Sequence, residues 1–304
     1  MRIERIIFGE LLAIVTVLLA AQQPPTIRLD VNLVQLPVRV IDSEGHPVSG
    51  LQKSAFQVFV DNIPQPITVF QGEDAPVTAG IVVDNSASMA PKREEVIAAA
   101  EAFAKASNPK DQMFVVHFNN LVRFGLPEGT RFTGDIAELE TAIAAFDLGG
   151  TTAFYDALLT AESQFQFAAY PRKVILIITD GGDNSSHATL TDAINGAVKA
   201  GIVIYPIGIF DESDRDRNPD VLKKIAKVTG GEAFFPERIT DITATCLRIA
   251  QYIREQYMIG FPGAEDGQYH QIRLIVTDPK KGPLKVEARG GYFAVNQGYR
   301  NRQK

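Results

Sequence analysis

Thr78-Ala79-Gly80-Ile81-Val82-Val83-Asp84-Asn85-Ser86-Ala87-Ser88-Met89 is a nearly continuous apolar run that ends in a carboxylate and then places two hydroxyls two and four residues further on. A short apolar run of this kind, bounded by polar residues, reads as a strand buried on both faces. A helical pattern follows from Arg93 to Ala106, and the alternation then repeats. Strands are expected at Met113 to Phe118, Val174 to Thr179 and Ile202 to Ile209. Helices are expected at Asp135 to Phe146, Phe154 to Phe167, Leu190 to Ala200, Pro219 to Val228 and Ile239 to Arg254. Strands alternating with helices predict an α/β fold over residues 77–254: a doubly wound, mostly parallel sheet flanked by helices.

Outward from this block the period changes to that of strands. On the amino-terminal side Val34 to Val40 alternates, Asp42 to Pro47 supplies a turn, and Phe56 to Asp61 and Ile67 to Phe70 follow, separated by Asn62-Ile63-Pro64. Pro37 cannot donate to a ladder, which predicts an edge position for the first strand. On the carboxyl-terminal side strands are expected at Tyr257 to Phe261, Tyr269 to Thr277, Leu284 to Ala288 and Tyr292 to Val295. Neither set has enough partners alone. Segments 25–72 and 256–296 are therefore expected to form one small β-sandwich, with the α/β block inserted between them and a polar tail at 297–304.

The first residues carry Arg2 and Arg5, an apolar run from Leu11 to Ala21, and then Gln22-Gln23-Pro24-Pro25. This layout reads residues 1–21 as a signal peptide or an uncleaved anchor, and places the protein outside the cytoplasm: periplasmic, on the cell surface or secreted. Membrane contact is expected only through such an anchor. Lys plus Arg number 30 against 36 Asp plus Glu, a net charge of -6, which argues against a nucleic-acid partner. Cys246 is the lone cysteine, so no intramolecular disulfide forms, and its apolar surroundings predict a core residue.

The chemistry concentrates at three strand or helix ends. Asp84-x-Ser86-x-Ser88 follows the first buried strand. Gly149-Gly150-Thr151-Thr152 precedes the Phe154 helix, and Ile178-Thr179-Asp180-Gly181 closes another buried strand. Open α/β sheets bind ligands outside the carboxyl ends of their strands, where these segments can converge. Hydroxyl and carboxylate oxygens suit Mg²⁺, Mn²⁺ or Ca²⁺ rather than zinc, with Mg²⁺ leading because it keeps several waters. If the hydroxyls bind directly while the carboxylates hold waters, the ion retains most of its charge and an open position for a partner's carboxylate.

These three motifs, in this order, resemble the metal-ion-dependent adhesion site of von Willebrand factor A domains, over roughly Val77 to Tyr252. The resemblance implies a Rossmann-like fold without catalytic activity. It assigns Ser86, Ser88 and Thr152 as direct metal ligands, with Asp84 and Asp180 acting mostly through water; Thr152 fits the family's spacing better than Thr151. Its implied partner is a protein that presents Glu or Asp to the metal. Gly50 to Phe56, Asp61 to Ile67 and the Gly290-Gly291-Tyr292-Phe293 ending resemble exported bacterial proteins related to that family.

Two other classes compete. One is a metal-independent structural protein of the cell envelope; the other is a Mg²⁺-dependent phosphohydrolase using Asp84, with Lys92 beside it and His117 able to approach. His46, His117, His187 and His270 are scattered, and no H-E-x-x-H, G-x-S-x-G or G-x-x-x-x-G-K-[ST] pattern occurs, which disfavours catalysis. Lys92 reads as a solvated helix-start residue, Asp156 as a helix start, Asp183-Asn184 as a solvated turn, and Phe154 and Tyr155 as packing residues.

Overall fold

The computed structural model describes residues 33–145, 148–210 and 217–294. The expected leader at 1–21 and the tail at 297–304 lie outside the described residues. In chain order the elements are β1 (Leu33–Ile41), β2 (Phe56–Val60), β3 (Ile63–Gln65), β4 (Val69–Gln71), β5 (Thr78–Asp84), α1 (Arg93–Ala106), β6 (Gln112–Phe118), β7 (Val122–Phe124), α2 (Ile136–Ala144) and α3 (Phe154–Gln164). There follow β8 (Lys173–Thr179), α4 (Leu190–Ala200), β9 (Ile202–Gly208), α5 (Pro219–Thr229), α6 (Ile242–Arg254), β10 (Tyr257–Pro262), β11 (Tyr269–Val276), β12 (Lys285–Glu287) and β13 (Gly291–Phe293).

The central sheet runs β7-β6-β5-β8-β9, with β5, β6, β8 and β9 parallel and β7 antiparallel at the edge. Every residue of β5 and β9 is buried, which is why both read as unbroken apolar runs rather than alternations. Three helix starts are capped by side chains. Thr189 and Asp192 form a capping box at α4, Asn218 caps α5 ahead of Pro219, and Asp135 accepts from Ala137 and Glu138 at α2. From β5 the chain moves to β6 on one side and then returns past β5 to β8 on the other. This reversal opens a crevice at the carboxyl ends of β5 and β8.

Two further sheets, β12-β1-β10-β4 and β13-β11-β2-β3, enclose a second core that includes Leu36, Val38, Phe56, Val58, Ile259 and Phe261. Each sheet mixes strands from both ends of the chain: β1 pairs with β10, and β2 with β11. The expected edge position of the first strand is corrected, because β1 is flanked by both β10 and β12. Pro37 is tolerated since β12 pairs only Arg39 to Ile41, leaving the missing donor outside that ladder. The Asn62-Ile63-Pro64 separator is also corrected. Asp61 and Asn62 sit at φ of 49° and 67°, a two-residue hairpin turn, so Ile63 and Pro64 form the edge strand β3.

The chain leaves this pair of sheets before β5 and returns after α6, and both crossings meet one buried arginine. Arg172 donates to the carbonyls of Ala75 (3.0 Å) and Ile253 (2.7 Å). Arg254 pairs with Asp74 at 2.7 Å, and Asp111 accepts from the backbone of Val77 and Asn108. This network closes the amino-terminal end of β5, the end opposite Asp84.

One ionic cluster is expected to make the outer sheets pH-sensitive. His270 on β11 lies between Asp61 (Nδ1 to Oδ2, 2.7 Å) and Asp266 (Nε2 to Oδ1, 3.0 Å). Asp266 first and Asp61 second hold the imidazole above its ordinary value of 6.5. Its contribution to stability is thus complete below 6.5 and is lost as pH rises through the raised folded value. His270→Gln is expected to lower the unfolding midpoint at about pH 5.5 and much less at about pH 9. Equal losses at both values would remove the charge from this account.

Candidate metal centre

Asp84 is the last residue of β5, and its buried carboxylate is fixed by two hydrogen bonds. Oδ1 accepts from the Ser86 amide at 2.9 Å and Oδ2 from Thr179 Oγ1 at 2.6 Å. The first bond folds Asp84-Asn85-Ser86 into a side-chain-stabilised turn, so the strand ends there and Ser86 is turned back beneath the loop. Ser86 Oγ lies 3.1 Å from Ser88 Oγ, which donates to Asp180 Oδ2 at 2.6 Å. Asp180 follows β8, and its Oδ1 accepts from the Gly182 amide at 3.0 Å. Asp84, Ser86 and Asp180 are buried while Ser88 is exposed, so the polar cluster reaches solvent through Ser88.

The Gly-Gly-Thr loop is brought alongside by backbone bonds: Gly149 N donates to Asn85 O at 2.9 Å, and Ala87 N to Gly150 O at 3.2 Å. Gly150 has φ of 79°, and a Cβ there would collide with the Asn120 side chain, so this close approach requires glycine. Within the Thr doublet, Thr152 is buried and Thr151 is exposed. The Thr152 amide donates to Asn184 Oδ1 at 2.8 Å, and its carbonyl accepts from the amides of Asn184 and Ser185. All three segments singled out in the sequence therefore meet at the carboxyl ends of β5 and β8.

The donor set fits a hard divalent cation. Burial, and then the neighbouring Asp180 charge, push Asp84 up to about 7. Two carboxylates in one buried cluster repel each other, and a dication is the ligand that would relieve that repulsion. Among the described residues no three His, Cys, Asp or Glu side chains are grouped for metal binding. Hydroxyls would have to supply part of the shell here.

Several residues around the cluster carried no signal as functional. Thr179 clamps Asp84 and accepts from the Gly181 amide at 3.0 Å, although in the sequence it is only the end of an apolar run. Asp183 is not a solvated turn residue: its Oδ1 accepts from the Phe154 and Tyr155 amides at the start of α3 and from Ser186 Oγ. Asp156 accepts from the amides of His187 and Ala188, holding the loop after β8 to the same helix. A capping carboxylate 29 residues from its helix cannot be recognised by local pattern.

The two groups required by the phosphohydrolase reading are otherwise engaged. Lys92 is buried, not solvated, and its Nζ donates to Ile209 O at 3.3 Å. His117 is buried, with Nε2 2.7 Å from Ala142 O and Nδ1 3.0 Å from Asn85 Nδ2. Nε2 must donate to the carbonyl, so Nδ1 accepts from the amide. Burial lowers the imidazole below its ordinary value, keeping it neutral.

Residues 80–246, more than half of the chain, match the model of the von Willebrand factor type A domain. A von Willebrand factor type A protein from Catenulispora acidiphila is 17% identical, with 89% of this chain and 76% of that one covered and a TM-score of 0.54. Proximal thread matrix protein 1 of the mussel byssus is 17% identical, with 69% and 51% covered and a TM-score of 0.51. At such identities these likenesses are of fold alone. Among curated proteins, none matches the chain.

Proposed function

The chain belongs to the von Willebrand factor type A domain family, a family of protein-interaction modules, and on that footing we propose that it binds a partner protein through a divalent cation. Ser86, Ser88 and Thr152 would hold the ion directly, with Asp84 and Asp180 behind waters. The cation, Mg²⁺ before Mn²⁺ or Ca²⁺, would supply an electrophilic position that a Glu or Asp of the partner completes. The observation that carries this reading is the Asp84-Thr179 and Ser86-Ser88-Asp180 hydrogen-bond chain, which gathers three neutral hydroxyls and two carboxylates from two strand ends. With Asp84 held by Thr179 and the Ser86 amide, much of the negative charge is already engaged, and a bound ion would stay short of anionic ligands. Burial of Thr152 beside exposed Thr151 favours Thr152 over Thr151 as the hydroxyl ligand from the Gly-Gly-Thr loop.

The reading is non-catalytic: Lys92 and His117 are committed to carbonyl and amide partners, so neither is placed to handle a phosphate. Export rests on the leader-like start of the sequence. Among the described residues no helix is long and apolar enough to cross a membrane. In this reading the sheets formed by β1–β4 and β10–β13 carry the interaction domain of 77–254.

Partner capture from an extracellular extract should require Mg²⁺, vanish with EDTA, and fall at least about tenfold in Ser86→Ala and Thr152→Ala, the loss typical of one charge-assisted contact. Capture that survives both chelation and Ser86→Ala would leave the metal-independent envelope protein as the better reading.

A further inference from the structure

Away from the metal centre, α5 and α6 and the outer sheets border a cleft of about 1110 Å³. This exceeds the usual several-hundred-Å³ size of a small-molecule pocket. The chain as a whole carries a net charge of -6, yet six basic side chains and three acidic ones line this cleft. Arg39 is taken up by Glu255 (2.9 Å) and Glu287 (3.2 Å), and Lys223 by Asp220 (3.3 Å). Lys224 and Lys227 make no ion pair among the described residues, and Arg248 lies 5.1 Å over the Phe234 ring. Arg289 donates to two carbonyls, Gln35 O (2.8 Å) and Val228 O (3.3 Å), and its Nε has no partner. Lys224, Lys227 and Arg248 thus line the cleft without an ion pair among the described residues, and its lining is net positive.

The cleft is also lined by β13, which among the described residues is the edge strand of its sheet. Among the described residues β13 pairs only with β11, and Gly290 O and Ala294 N are bonded to Ile272 N and Gln268 O. This register puts Tyr292 in the hydrogen-bonded position against His270. The N–H and C=O of Gly291 and Phe293 therefore point away from β11; Gly291 is buried, and Phe293, exposed, offers its pair at the edge. Such an edge pairs with any extended chain that reaches it. The end of this chain, Tyr299 to Lys304, carries Arg300, Arg302 and Lys304 and is electrostatically unsuited to the cleft.

We propose that this cleft is a second, metal-independent docking site for an extended acidic segment of a partner protein. The segment adds a strand to β13 and sets alternate carboxylates against Lys224, Lys227 and Arg248. A peptide is favoured over a uniform polyanion because Glu232, Glu255 and Glu287 interrupt the positive lining; spaced side chains avoid them and a continuous phosphate or sulfate backbone does not. Nothing in this site passes through Asp84, Ser86, Ser88, Thr152 or Asp180.

The test is fluorescence anisotropy with the full chain and a labelled (Glu-Val)5 peptide, beside (Gln-Val)5, a thymidine decanucleotide and a heparin tetrasaccharide. Binding of (Glu-Val)5 alone is expected, unchanged by EDTA and by Ser86→Ala. It should weaken about tenfold or more in the exposed double variant Lys224→Glu/Lys227→Glu. Phe293→Pro, which removes an outward N–H without touching the ladder to β11, should weaken it as well. No binding of (Glu-Val)5 overturns the proposal, as does equal affinity in the lysine variant. Equal affinity in Phe293→Pro overturns the strand addition. Equal or tighter binding of the decanucleotide or the heparin overturns the choice of a peptide.

Discussion

Mg²⁺ added to the purified protein is expected to raise its unfolding midpoint by about 5–10 °C at a concentration about a hundredfold over Kd. Such an excess adds about 2.7 kcal/mol to the folded state, and a chain of this size gains roughly 2–4 °C per kcal/mol. Asp180→Ala removes the acceptor of the Ser88 hydroxyl, and Ser86→Ala removes the hydroxyl bonded to Ser88, so both variants should lose the rise. The effect should also depend on pH in a defined direction. Asp84 is raised in the metal-free fold to about 7 from 3.8, so the folded state holds a proton that the unfolded chain releases. Metal-free stability therefore falls as pH rises through 7, whereas cation binding must displace that proton below it. The Mg²⁺-induced rise should be larger at about pH 8 than at about pH 5.5. A midpoint indifferent to Mg²⁺, Mn²⁺ and Ca²⁺ at both values would refute the metal reading.

Arg172→Leu is expected to cost about 3–5 kcal/mol, because two hydrogen bonds from a charged donor are lost and their acceptors are left in the interior. Arg172 is 1% exposed and joins Ala75, on the way into the central sheet, to Ile253 in the last turn of α6. Leucine fills part of the volume but offers nothing to either carbonyl. It also strips Asp111, already pushed up to about 6 by burial, of a neighbouring positive charge. The loss should appear in denaturant unfolding as a lower midpoint without any change in the response to Mg²⁺, because Asp84 lies at the other end of β5. A loss below about 1 kcal/mol would mean that water or a backbone shift satisfies those carbonyls.

Much of the fold was legible because burial writes itself into local pattern. β5, β8 and β9 read as apolar runs, and α1 and α4 read at their observed bounds from helical periodicity. The three-residue strands β3 and β7 were not legible, since each is held by pairing to a longer neighbour rather than by any burial pattern of its own. The site divided along the same line. Asp84, Ser86, Ser88, Thr152 and Asp180 stood out because each follows a strand or precedes a helix in a recognisable motif. Thr179, Asn184 and Asp183 did not, because what they hold lies in another segment.

By itself, then, the sequence determined the alternation of buried strands with helices, the two-ended supply of outer strands, and the residue types gathered at the strand ends. These follow from near-neighbour rules: period, turns, and the oxygen chemistry of short motifs. Only the tertiary structure decided that β1 is interior in its sheet, that Lys92 and His117 are committed to carbonyls, and that Lys224 and Lys227 of α5 line one cleft with β13. The physical reason is that burial and hydrogen bonding depend on which segments meet. Residues such as Arg172 and Ile253, 81 positions apart, acquire their roles from proximity that no local pattern encodes.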